Sequence, residues 1–264
     1  MNKVNGWKLW LTVGLVAVVG VVTPNVLALT PDQGPDRLLD RPRDTNQRDD
    51  DDDRGPRETE VVERTAELPA NGTVRIKNFS GQIQVTAGSG RNVVVKATRR
   101  APRETLDRIK LDVATAGSTV TIDANRRESG SERRNNNVVE TQMMIEVPSS
   151  ADLDIDAFSS DVTVEGLSGD QRIKTFSGTI TVQGLKGEID AETFSADIRV
   201  TLDAAAKGNV SFSSFSGQLD SNVPITTMST GRRRSNNIDG TLQGGSGPRL
   251  RFHTFSGDVE LRSR

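Results

Sequence analysis

The chain of 264 residues contains no cysteine and a single histidine, His253. Without cysteine there is no disulfide framework and no lipid-anchored cysteine, so the fold stands on packing alone. One imidazole also leaves nucleophilic serine chemistry poorly provided, because such a serine needs a base within hydrogen-bond reach. Positive charge is not in excess: 34 Lys and Arg stand against 36 Asp and Glu, a formal net charge of −2. A nucleic-acid binder shows a strong basic excess, and that class is excluded. No phosphate-cradling glycine loop and no cluster of metal ligands is present, so neither cofactor nor metal is expected.

Long apolar runs are also absent, with one exception. Leu9 to Val22 is an uncharged, largely apolar run that follows Lys3 and Lys8 and is broken by Pro24 and Asn25. Val26, Leu27 and Ala28 then supply the residues a signal peptidase reads. Residues 1–28 are expected to be a secretory signal peptide cut after Ala28, giving a secreted or periplasmic protein. The alternative, an uncleaved membrane anchor, needs a longer apolar run than this one. Residues 29–57 hold nine Asp and six Arg, with Asp49 to Asp53 unbroken. They cannot bury enough surface to offset ordering and are expected to be a disordered spacer. A calcium loop would need a turn glycine and spaced ligands, which this run lacks. With Lys3 and Lys8 removed, 32 basic residues face 36 acidic ones; without the spacer, 26 face 27.

What the sequence does have is a repeat. Phe176-Ser-Gly-Thr-Ile-Thr-Val recurs in variant form from Phe79, Phe158, Phe194, Phe215 and Phe255. Ser follows each Phe, and the next residue is always small: Gly81, Ser160, Gly178, Ala196, Gly217 and Gly257. Four after the Phe stand Ile83, Val162, Ile180, Ile198, Leu219 and Val259; six after it, Val85, Val164, Val182, Val200, Ser221 and Leu261. Three before it lie Ile76, Ile155, Ile173, Ala191, Phe212 and Phe252, with polar residues between. Apolar–polar–apolar spacing is that of a strand with one buried face. Each copy therefore reads as strand, tight corner, strand. Successive phenylalanines are 18, 18 and 21 residues apart from Phe158 to Phe215. A coil of that length holds about two strands and cannot bury its apolar face alone. The expected fold is all-β: a β-solenoid, or stacked β-repeat, of about 18–21-residue coils with an internal Phe ladder. Its repeat core would comprise the six phenylalanines with Ile180, Val182, Ile198 and Val200.

The β-repeat domain is placed at 58–264, with an irregular N-terminal part (58–150) and regular repeats (151–264). In the former, alternation marks strands at Val74/Ile76, Ile83/Val85, Val93/Val95, Ile109/Leu111/Val113, Val120/Ile122 and Thr141 to Val147. Ala116 to Ser118 reads as a turn and Pro102 to Asp107 as one helical turn. In the latter, Val223, Ile225 and Met228 read as a degraded copy, and Gly240 to Pro248 as a loop.

These Phe-Ser-Gly copies behind a signal peptide, and the ending Gly231-Arg-Arg-Arg, Gly240, Gly244-Gly245, Phe255-Ser-Gly-Asp-Val-Glu-Leu, resemble a known family. It is that of bacterial adhesin-like β-strand-repeat proteins of unknown function, related to the toastrack domain, over roughly Val61 to Leu261. The resemblance implies a stacked β architecture, an extracytoplasmic location, no known catalytic residues and a role at the cell surface.

Two functional classes follow. The first is a non-enzymatic exported scaffold or adhesin-like binding module of the cell envelope, its partner an envelope polymer, a membrane surface or another envelope protein. The alternative is a carbohydrate-active enzyme using outward carboxylates (Asp161, Asp190, Glu192, Asp197, Asp258), since glycoside hydrolysis needs a carboxylate pair. Arg172, Lys174 and Arg199 interleave with them, which favours a mixed solvated surface. The repeated serines are expected to satisfy corner backbone groups, and His253 falls at an outward position. Arg99-Arg100, Arg133-Arg134 and Arg232, Arg233 and Arg234 are candidate contacts for an anionic ligand if they converge.

Overall fold

The computed structural model describes residues 57–127, 138–227, 236–245 and 247–264. The predicted signal segment, nearly all of the spacer, Met228, Arg133-Arg134 and Arg232 to Arg234 lie outside them.

The irregular part contributes β1 (Arg57–Glu67), β2 (Thr73–Gly88), β3 (Asn92–Pro102), α1 (Arg103–Arg108), β4 (Ile109–Ala116), β5 (Thr119–Arg127) and β6 (Glu140–Pro148). The repeats follow as β7 (Asp152–Glu165), β8 (Gln171–Thr175), β9 (Ile180–Leu185), β10 (Ile189–Thr193), β11 (Ile198–Leu202), β12 (Gly208–Ser214) and β13 (Leu219–Ser221). β14 (Ile225–Thr227), β15 (Asn237–Leu242), β16 (Arg249–Thr254) and β17 (Val259–Ser263) complete the chain. All strands read from alternation form, and the single helical turn is α1.

β2 and β7 run through their corners, so each is a whole coil. β8 with β9, β10 with β11, β12 with β13 and β16 with β17 are the other coils, each split in two at its Phe. Coils stack in parallel, residue over residue: Ile155 on Ile173 on Ala191, and Val164 on Val182 on Val200. The first arms form the ladder β4-β5-β2-β7-β8-β10-β16-β12-β15-β14. The second arms form β1-β3-β6-β2-β7-β9-β11-β17-β13. Their inward residues share one core that includes Ile76, Ile173, Ile180, Val182, Ile198, Val200 and Leu261. Burial of these branched side chains drives the stacking, since no coil hides its own apolar face.

The order in space departs from the order in sequence at one point. The C-terminal coil β16/β17 lies between β10/β11 and β12/β13, where sequential stacking would leave no gap. The 21-residue spacing from Phe194 to Phe215 has its explanation here. Residues 203–207 rise two coil heights, about 10 Å, instead of one, and the three extra residues supply the length. Ala191, which is small, faces the bulky Phe252 of the inserted coil, and Phe252 in turn faces Phe212.

Val223 to Met228 was expected to be a degraded coil. Instead β14 pairs antiparallel with β15, and β15 antiparallel with β12, so a hairpin closes that end of the first ladder. The loop expected over Gly240 to Pro248 correspondingly begins only after Leu242. At the opposite end, β3 and β1 extend the second ladder antiparallel beyond β6.

The internal Phe ladder is corrected in its placement. Phe79, Phe158, Phe176, Phe194, Phe215 and Phe255 are 42–72% exposed. Strand alternation is the reason. Residues five, three and one before each Phe point inward, as Leu153, Ile155 and Ala157 do, which turns Phe158 outward. The two phenylalanines that are core, Phe212 and Phe252, sit three residues earlier, each 1% exposed.

Candidate functional site: an exposed phenylalanine face

The corner that carries each Phe is dictated by its neighbours. A Cβ at Gly178 would lie 2.0 Å from the carbonyl oxygen of Ser160 on the adjacent coil, so the position after Phe-Ser must be small. Gly81 is held at φ 126°, a conformation open to glycine, with its Cβ direction blocked by the Thr141 carbonyl. Main-chain bonds carry the ladder round the bend: the Ser177 N–H donates to the Phe158 carbonyl at 2.8 Å, Ser195 to Phe176 at 3.0 Å, and Ser256 to Phe194 at 2.9 Å. The serines after Phe176, Phe194, Phe215 and Phe255 are exposed. The expected hydroxyl role falls to the residue before the Phe. The Thr254 hydroxyl donates to the Gly257 carbonyl at 2.8 Å, and Thr175 stands in the same place beneath its own corner.

In-register corners place the rings one above another. In the order Phe79, Phe158, Phe176, Phe194, Phe255, Phe215, successive centroids are 4.6–4.9 Å apart and interplanar angles are 3–11°. Five steps make a ridge about 24 Å long, the coil repeat setting the ring spacing. Ring faces are used against each other, so what meets solvent is a continuous line of apolar ring edges. Beside the ridge on the first ladder runs a groove of about 400 Å³, lined by four of the rings and by Asp156, Lys174, Glu192 and His253. His253 is therefore outward, as its position in the alternation requires.

Charges on that flank alternate in sign over the first four coils of the row nearest the ridge and the first five of the next. Along the row nearest the ridge they read Lys77, Asp156, Lys174, Glu192, His253 and Ser213; along the next, Arg75, Asp154, Arg172, Asp190, Arg251 and Ser211. Neighbours pair within the chain: Lys174 with Glu192, Arg75 with Asp154 at 3.0 Å, and Arg251 with Asp190 at 3.6 Å. On the other flank, Asp161 accepts the Thr179 N–H, Asp197 the Asp258 N–H, and Asp258 the Gln218 N–H, at 2.9–3.1 Å. Asp197 also pairs with Arg199 at 2.9 Å. The outward carboxylates thus fasten coils and bind cations, and the Phe ridge separates Asp190 and Glu192 from Asp197.

Of the candidate anionic-ligand residues, Arg99 is turned inward, 1% exposed, paired with Glu60 at 2.5 Å and donating to the Ile109 carbonyl. It is a buried structural cation under a small satellite core, and alternation along β3 already assigns it there. Arg100 is exposed. Arg262, which the sequence did not single out, bridges two coils through Asp220 (2.8 Å) and Glu260 (2.6 Å). Hydrogen bonds to Glu260 and then Asp220 raise its pKa. Among the described residues no three His, Asp or Glu stand close enough to hold a metal ion, and no helix is long and apolar enough to cross a membrane.

Residues 140–262, from the start of β6 almost to the chain end, match the family Toastrack DUF4097. The fold of this stretch extends into the preceding coils. A candidate cell adhesion protein from Clostridium sporogenes superposes with a TM-score of 0.53 at 8% identity, over 78% of this chain and 100% of that one. A candidate adhesin from Bacteroides fragilis gives 0.30 at 9% identity, over 76% and 97%. The first likeness shows a shared fold at an identity where function does not transfer. No curated protein sequence matches the chain. The Toastrack stretch holds five of the six ladder rings; Phe79 supplies the sixth from outside it.

Proposed function

We propose that this protein is a non-enzymatic contact module of the cell envelope, exported by way of residues 1–28. The observation that carries the reading is the ridge: six half-exposed phenylalanines on one edge of a rigid stack. Exposed contiguous apolar surface of that extent marks an interaction site in a folded protein. Aromatic rings beside a charged rim make up the usual composition of a contact patch. The adhesive role attached to the Clostridium sporogenes protein agrees with this reading.

The test compares the full chain with a Phe176→Ser, Phe194→Ser variant in the producing cell. Retention on the envelope fraction is expected to fall about tenfold, the loss typical when a central aromatic anchor is removed. Unchanged retention would overturn the reading. So would turnover of an envelope polysaccharide that disappears on changing Asp190, Glu192 and Asp197 to their amides while the thermal midpoint holds.

A further inference from the structure

The charge pattern beside the ridge identifies its partner, and the inference rests on the contact reading above. Number the rungs from Phe79 to Phe215 in spatial order. Because the charged rungs alternate in sign within a set of six, reversing the order sets each charged residue against one of opposite sign or an uncharged one. A second copy laid on the first in the opposite direction puts Lys174 opposite Glu192 and Asp156 opposite His253. In the outer row it puts Arg172 opposite Asp190 and Asp154 opposite Arg251. Lys77 and Arg75 meet Ser213 and Ser211. No two like charges meet in either of these rows, and on the other flank the reversal leaves one like pair, Asp161 opposite Asp258. With the copies in the same direction, these rows would instead face the carboxylates of the other flank, Asp156 against Asp161 and Glu192 against Asp197. Two like pairs face to face, against one in the reversed order, disfavour that pairing.

We propose that the Phe face docks on a second copy of this chain, ridge against ridge and antiparallel, about a two-fold axis between the third and fourth rings. Such a contact is isologous: one patch serves both partners, and closure at two copies follows from the symmetry. Ring edges meet ring edges along the centre, and the alternating rows form a charged rim that fixes direction and register. The C-terminal coil is required for this. Without Arg251 and His253 between the fourth and sixth rungs, the rows would number five, and reversal would set Asp156 against Glu192 and Asp154 against Asp190.

Absence of cysteine makes the test direct, since one introduced thiol is the only thiol in the chain. In the full chain, Ser195→Cys stands on the fourth rung, about 5 Å along the axis from its own copy in the antiparallel pair. Ser80→Cys, on the first rung, stands about 24 Å away. A short bis-maleimide is expected to join Ser195→Cys chains into a homodimer and to leave Ser80→Cys chains single. Adding Lys174→Glu should lower the Ser195→Cys dimer yield about tenfold, and adding Glu192→Lys as well should restore it to within about twofold. Circular dichroism melts of each variant confirm that the stack is folded. Equal cross-linking at both positions, or failure of the charge exchange to restore it, overturns the antiparallel pairing. A Ser195→Cys adduct with a different protein overturns the second-copy partner while leaving the contact reading standing. A Ser195→Cys chain that links to nothing, together with full envelope retention of the Phe176→Ser, Phe194→Ser variant, sinks both.

Discussion

At the residue scale, a phenylalanine's worth depends on which side of the alternation it falls. Phe194 rests between two rings yet is 43% exposed, whereas Phe252 is 1% exposed in the core. Phe252→Ala is expected to cost about 3–5 kcal/mol, the loss for a fully enclosed ring and its cavity. Phe194→Ala should cost about 1–2 kcal/mol, mostly two stacking contacts. Chemical denaturation of the two variants side by side checks the order; equal losses would contradict the placement of the ladder. Gly81→Ala forces a side chain into a left-handed conformation against the Thr141 carbonyl, and about 2 kcal/mol or more should be lost. The same assay reads it. The placement of the rings was legible, because inward Thr175 and Thr193 fix the parity of Phe176 and Phe194. Apolar character argued the other way and prevailed, although parity, which no side chain can evade, is the stronger constraint.

At the element scale, coils are held to each other by more than the core. Asp side chains reach across to the N–H of the next coil, and Arg262 clamps Asp220 to Glu260. The inserted coil β16/β17 has partners on both sides, so its loss is not the loss of a terminal rung. A chain ending at Pro248 should leave β12 and β13 without their parallel neighbours as well. Hydrogen exchange is expected to show protection lost from Gly208 onward and kept from Asp152 to Thr193; confinement of the loss to the missing residues would argue for sequential stacking. This insertion left two marks in the sequence, the 21-residue spacing and the sign of Arg251 opposite Asp190. Neither is readable without a reason to suspect a skipped level. Strand existence was far easier, since the in–out pattern of Met143, Ile145 and Val147 depends only on a core existing. The hairpin β14/β15 was not legible, because a three-residue strand such as Ile225–Thr227 carries too little pattern to separate antiparallel from parallel pairing.

At the largest scale, the β-repeat domain is a short stack with a polar exterior broken along one edge. Its surviving repeats fix a spacing of about 4.8 Å for anything displayed there, and the six rings and two charged rows inherit that ruler. The candidate site is therefore a product of the repeat and not of any single motif. A reading of single positions finds His253, the serines or the arginines, each of which alternation or packing accounts for. The site emerges only when the rungs are laid over one another in their true order, and that order is fixed by the coil that comes last.

Synthesis runs from the N-terminal side, yet a later coil, β16/β17, belongs between two earlier ones. Until Arg249 onward is in place, β13 has no partner strand and β12 has only the antiparallel β15 beside it. The tail then has to enter between two levels already laid down, as a keystone enters an arch, and a nascent chain cut short by a dozen residues would remain open at its middle.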